Sequence, residues 1–99
     1  MDELTKKVLV WVNHKREEFE LEPLEKLRKG SKDVCLNCPL ANSLTEEDVM
    51  DAWFGKRNWS LKLYKWAAIR SQRLPAYVER WIRDFDNGIY SQYYKRELY

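Results

Sequence analysis

The chain predicts a small α+β domain: an antiparallel sheet packed against a helix in the C-terminal half, at about 75–86, with shorter helices beside it. Three observations predict this class. Over Asn58 to Trp66, Trp59, Leu61 and Leu63 alternate with Ser60, Lys62, Tyr64 and Trp66, the period of two of a half-buried strand. Behind Pro75, the residues Leu74, Val78, Trp81, Ile82 and Phe85 recur at spacings of three and four, and Asn87-Gly88 supplies a left-handed stop. Finally, 99 residues that are 44% apolar, 14% aromatic and 34% charged, with three Gly and three Pro, exclude disordered, collagenous and low-complexity chains and leave room for one domain, 1–99.

The remaining elements follow in chain order. Val8 to Val12 is β-branched and aromatic and reads as a strand, although Leu4, Val8, Trp11, Val12 and Phe19 also fit one helix face. Asn13, His14 and Lys15 break the run, and Phe19 and Leu21 then alternate with glutamates, so a hairpin is the preferred reading. Pro23 suits a first helical turn, with Leu24 and Leu27 as an apolar stripe ending at Gly30. A second Pro-led helix begins at Pro39 and carries Leu40, Ala41 and Leu44. Thr45 and Asp48 resemble a capping box, where a turn or helix restarts. The tail from Ile89 to Tyr99, with four tyrosines, reads as a last edge strand or an arm.

The opening MDELTKK is acidic then basic, and the five apolar residues of Val8 to Val12 fall far short of a membrane span or a signal-peptide core, so a cytosolic protein without a membrane span is expected. Ten Glu and ten Lys against two Gln resemble a hyperthermophile's composition, a setting in which an intracellular disulfide is admissible.

The net charge of +2 conceals a segregation. Residues 1–51 hold eight Lys and Arg against twelve Asp and Glu; residues 52–78 hold six basic residues and no acid; the rest balances. The basic block is Lys56, Arg57, Lys62, Lys65, Arg70 and Arg73, interleaved with aromatics that include Tyr64 and Trp66. A single-stranded nucleic-acid groove uses this mixture, because cations neutralise phosphates while aromatic faces stack bases. The plainer reading is a solvated sheet face with aromatics filling the other side.

Cys35-x-x-Cys38-Pro39 has the spacing of half a zinc site or of a redox ring. Tetrahedral zinc needs two further ligands, and only His14 and a carboxylate such as Asp33 are on offer. A structural thiol pair or local disulfide is therefore expected, with no metal and no cofactor. His14 is tied to no nucleophile or carboxylate by spacing, and no catalytic set or phosphate-cradling loop stands out, so no enzyme is expected.

Two blocks carry a resemblance. Lys26-Leu27-Arg28-Lys29-Gly30, Asp33 and Cys35-x-x-Cys38-Pro39-Leu40-Ala41-x-x-Leu44, followed by Leu74-Pro75-x-x-Val78-x-x-Trp81-Ile82-x-x-Phe85-Asp86-x-Gly88, are similar in content and order to a family of small uncharacterised proteins of actinobacterial phages, with Lys26 standing where that family has histidine. Length, charge richness and tyrosine content also resemble orphan proteins of filamentous archaeal viruses, the lipothrixviruses and rudiviruses. Either resemblance implies a virus-encoded accessory protein, and the first implies a small α+β domain. The expectation is a non-enzymatic interaction module in the host cytoplasm, binding a host or viral protein, with leftover aromatics forming a homodimer or partner surface. The alternative is a nucleic-acid binder that uses residues 52–78.

Overall fold

The apolar run Val8 to Val12 lies inside a helix, not in a hairpin. This helix, α1, spans Glu3–Glu18 in a computed structural model that describes residues 1–31, 38–46, 51–55, 60–65 and 68–94, and within the strands the side chains of Leu61, Gln72 and Arg73. Asp2 caps it, its carboxylate accepting the Thr5 N–H at 2.7 Å. Thr5, Val8, Trp11, Val12 and Arg16 form its buried stripe, so tertiary packing decides between the two readings that a short apolar run allows. The helix ends in a Schellman motif: Leu21 N–H reaches Arg16 C=O, Glu20 N–H reaches Glu17 C=O, and Glu20 takes the left-handed conformation with φ of 60°.

The helix predicted to start at Pro23 does not form. In a helix, Arg28 N–H would donate to Leu24 C=O; instead Arg28 N–H donates to Ser43 Oγ, and Leu24 gives both its N–H and its C=O to the Asn13 amide at 2.8 and 2.9 Å. Phe19–Ser31 is thus an irregular segment held by side chains of neighbouring helices. The Pro39 helix does form, as α2 (Pro39–Leu44), with Pro39, Leu40, Ala41, Ser43 and Leu44 buried. The capping-box reading at Thr45 and Asp48 falls mostly outside the described residues; Thr45 itself is the C-cap of α2.

Strands β1 (Asp51–Gly55), β2 (Ser60–Lys65) and β3 (Ala68–Arg73) follow as an antiparallel meander in the order β1-β2-β3. The register pairs Trp53 with Lys62 and Phe54 with Leu61, and then Lys62 with Ser71 and Leu63 with Arg70. Next comes α3 (Ala76–Asp86), burying Val78, Trp81, Ile82 and Phe85 and stopping in a second Schellman motif at Gly88, φ 89°. The tail as far as Tyr94 folds as a 3-10 turn, Ser91–Tyr93, and touches Gly30 through one bridge from Tyr94; residues 95–99 of the predicted edge strand or arm lie outside the described residues.

Helices dominate the architecture. The sheet was expected to lie under the 75–86 helix, but α3 packs on α1, and the sheet meets the helices where β1 contacts α2. The reason is α1 itself: once Val8 and Val12 sit on a helix, they offer α3 an apolar face, and Trp81 closes it by donating Nε1–H to buried Thr5 Oγ1 at 3.0 Å. One continuous core contains Val8, Val12, Leu27, Leu40, Leu44, Leu61, Val78, Trp81, Ile82 and Phe85. Each such side chain contributes about 1.5–3 kcal/mol on full burial.

Candidate functional site

The predicted basic and aromatic set is divided by the sheet. Side chains alternate along a strand, and directly paired residues share a face. By register, the positions Lys62, Tyr64 and Arg73 fall on one face together with Trp53, while Lys65 and Arg70 fall on the other with fully buried Leu61. Arg73 is exposed. Lys56, Arg57 and Trp66 lie outside the described residues. The four basic positions that lie on strands are therefore divided between the two faces of the sheet.

Cys38 is the N-cap of α2: buried, its Sγ accepts the Ala41 N–H at 3.3 Å. That is a structural use of the cysteine, and Cys35, the other member of the predicted pair, lies outside the described residues. Among the described residues, no three His, Cys, Asp or Glu side chains converge as a metal site. No helix there is long and apolar enough to cross a membrane.

Among the described residues, the most exposed large apolar side chain is one that sequence reasoning missed. Val10 is 70% exposed in the middle of α1, on the side away from Val8 and Val12. Two depressions meet at it. One, of about 550 Å³, is lined by Val10, Asn13, His14, Glu17, Leu21 and Pro23. The other, of about 680 Å³, is lined by Glu3, Leu4, Lys6, Lys7, Val10 and Arg80. The α1 residues among them recur at three and four, so together they form one groove along one helix face. Its first half carries Lys6, Lys7 and Arg80; its second half ends at Glu17, followed by exposed Glu18 and Glu20. Lys7 Nζ lies 4.4 Å from the Tyr77 ring centroid, a cation–π contact with α3 made by an exposed lysine.

Helix side chains hold the far wall of this groove in place. Asn13 clamps Leu24 as described, and Arg16, 4% exposed, donates to Glu22 C=O at 2.7 Å, Ser43 C=O at 2.8 Å and Glu46 Oε1 at 2.9 Å. Arg28 binds the same Glu46 oxygen as well as the carbonyls of Asn42 and Thr45, both at 3.0 Å. Burial pushes the Glu46 carboxyl up, but the hydrogen bonds and charges of Arg16 and Arg28 outweigh it and hold the group below the usual carboxylate range. Leu21 and Pro23 are therefore presented from a braced segment.

The aromatics described outside the strands lie in the core or pack against it. Trp81 stacks on Phe85 and Tyr90 at centroid distances of 5.7 and 4.8 Å and meets Tyr93 edge-on, while Tyr94 lies edge-on to Phe85 and donates its hydroxyl to Phe85 C=O. Burial raises the Tyr90 hydroxyl pKa, and its hydrogen bond to Asp2 raises it further. Among the described residues, the exposed large apolar side chains are the aliphatic Met1, Val10 and Ile89.

The sequence-similar blocks occupy structural positions: Cys38, Pro39, Leu40, Ala41 and Leu44 cap and fill α2, and Val78, Trp81, Ile82 and Phe85 are the buried face of α3. No protein-family model, no curated protein and no solved structure matches the chain.

Proposed function

We propose that the chain is a virus-encoded accessory protein that acts in the host cytoplasm as a non-enzymatic interaction module, docking a protein partner in the groove on the outward face of α1. Val10 carries the reading: a β-branched apolar side chain held 70% exposed at the junction of two depressions, on a helix whose opposite face already supplies the core. Folding gains nothing from it there, whereas an apolar centre with a charged rim is the anatomy of an interface. A photo-cross-linking residue at position 10, compared with one at exposed Glu25, tests this in cells producing the protein. Protein adducts that survive nuclease and form at position 10 alone are expected; equal labelling from both positions defeats the reading.

One observation favours a second reading, nucleic-acid binding by the sheet. The register gathers Trp53, Lys62, Tyr64 and Arg73 on one face, which combines stacking and phosphate-neutralising residue types. Salt-dependent retention of single-stranded DNA that falls in Lys62→Ala and Arg73→Ala is its expected signature, and no retention at low salt removes it.

A further inference from the structure

The groove along α1 is polarised, and the polarity supplies its own complement. Lys6, Lys7 and Arg80, against the one acid Glu3, line its N-terminal half; Glu17 lines the C-terminal half; Val10 lies between. We propose that this groove is occupied by the same groove of a second copy of the chain, with the two α1 helices antiparallel about a two-fold axis. This rests on the reading of the groove as a docking surface and names its partner.

Two-fold symmetry pairs each patch with its own counterpart running in reverse, so a groove that is basic at one end and acidic at the other is complementary to itself. If the axis passes beside Val12, Lys7 lies opposite Glu17 of the second copy and Val10 lies opposite its His14. Leu4 then approaches the second copy's Leu21. Every one of these residues lines the groove. The helix has the length this needs: the ten residues from Lys7 to Glu17 span about 15 Å, nearly three turns, so both charge pairs form at once with the apolar centre between them.

The cations are available to re-pair: among the described residues Lys7 has no carboxylate partner, only the contact with the Tyr77 ring, and its neighbours are weakly held. Lys6 lies 3.6 Å from Glu3 and Arg80 lies 4.0 Å from Asp84, both in solvent-exposed pairs that hold little free energy. Glu17 has no ion-pair partner among the described residues. One helix face with its walls buries less than the ~800 Å² per partner of a standard interface, so the dimer is weak and reversible.

Sedimentation velocity over a concentration series tests this. The weight-average mass is expected to rise from 12.1 kDa toward twice that value at high concentration and to fall back in high salt. Val10→Asp holds the protein monomeric; at a position 70% exposed it leaves the thermal melt unchanged. Lys7→Glu and Glu17→Lys each place like charges opposite one another and each weaken the dimer by about tenfold or more. Mixed together, these two variants form a heterodimer, because one then carries glutamate at both positions and the other lysine at both. The rescue shows that these positions face one another across the interface; the orientation follows from the wild type, whose self-association a parallel pair would oppose by setting Lys7 on Lys7 and Glu17 on Glu17. A wild type that stays monomeric to millimolar concentration overturns the homodimer, as does a mixture that remains as monomeric as its components. A monomeric wild type that still forms specific adducts at position 10 leaves the docking face itself standing.

Discussion

Helices α1 and α3 pack against each other, yet they are different objects. In α3, Val78, Trp81, Ile82 and Phe85 fall on one buried face, with charged residues on the other and a glycine at the left-handed stop. The apolar residues of α1 fall on two faces: Val8 and Val12 inward, Val10 outward, with a buried arginine in the inward stripe and a glutamate at the left-handed stop. A helix with one function, filling a core, has a clean period. A helix that fills a core and also presents a surface has a blurred one. The blur in α1 and the groove beside Val10 are thus the same fact.

The comparison can be strained from both sides, and the largest effect falls on α3. Trp81→Ala removes the ring around which Phe85, Tyr90 and Tyr93 are arranged and leaves Thr5 Oγ1 without its donor; a loss of about 3–5 kcal/mol by urea denaturation is expected. On α1 the matching position is polar. Arg16→Ala strips the carbonyls of Glu22 and Ser43 of their donor and leaves Glu46 with Arg28 alone, so about 3 kcal/mol is lost, and limited proteolysis should cut first within 19–31.

The two stops respond oppositely. Gly88→Ala forces a side chain into φ of 89° and destabilises by about 1 kcal/mol, whereas Glu20→Gly relieves φ of 60° and stabilises by about 0.5–1 kcal/mol in the same melts. Loss of the α1 cap in Asp2→Ala removes about 1 kcal/mol at neutral pH. The hydrogen bond from Thr5 holds the Asp2 carboxyl below its usual range, so its contribution is complete above the unfolded carboxylate pKa and is lost as pH falls through the folded one. The melts of wild type and Asp2→Ala should therefore converge on acidification below about pH 4. Smallest of all in stability is Val10→Asp, expected within about 0.5 kcal/mol of wild type while docking at the groove is abolished.

The same contrast explains what was legible. The helix from Pro75 to Asn87-Gly88, the helix at Pro39 and the strand around Leu61 each follow one period between recognisable punctuation, and each forms. The first helix was misread because Val10 broke its phase and because Glu20, a residue with no turn signature, occupies its stop. The Pro23 helix failed for a non-local reason: Asn13 and Ser43, eleven and fifteen residues from their partners, capture the backbone groups such a helix would use. Strand β1 carries only Ala52, Trp53 and Phe54 between Asp51 and Gly55, too short a run to show a period. Of the predicted site, charge content was readable but its division between two faces depends on register, which the sequence does not display. The groove became visible only once α1 was known to be a helix.

Apart from buried Phe19 and Leu27 and the Arg28 guanidinium, the segment Phe19–Ser31 is held by its main chain. Asn13 takes Leu24 N–H and C=O, Arg16 takes Glu22 C=O, Ser43 takes Arg28 N–H, Asn42 takes Lys29 C=O, and Gly30 N–H reaches Tyr93 C=O. Anchors that grip peptide groups are indifferent to most of the side chains attached to them. Glu20, Glu22, Glu25 and Lys26, all exposed, can consequently be exchanged with the path of the chain unaltered, while Asn13, Arg16 and Ser43 cannot. The outer surface of this segment is thereby free to diversify on an invariant frame, in the way a framework region carries variable loops.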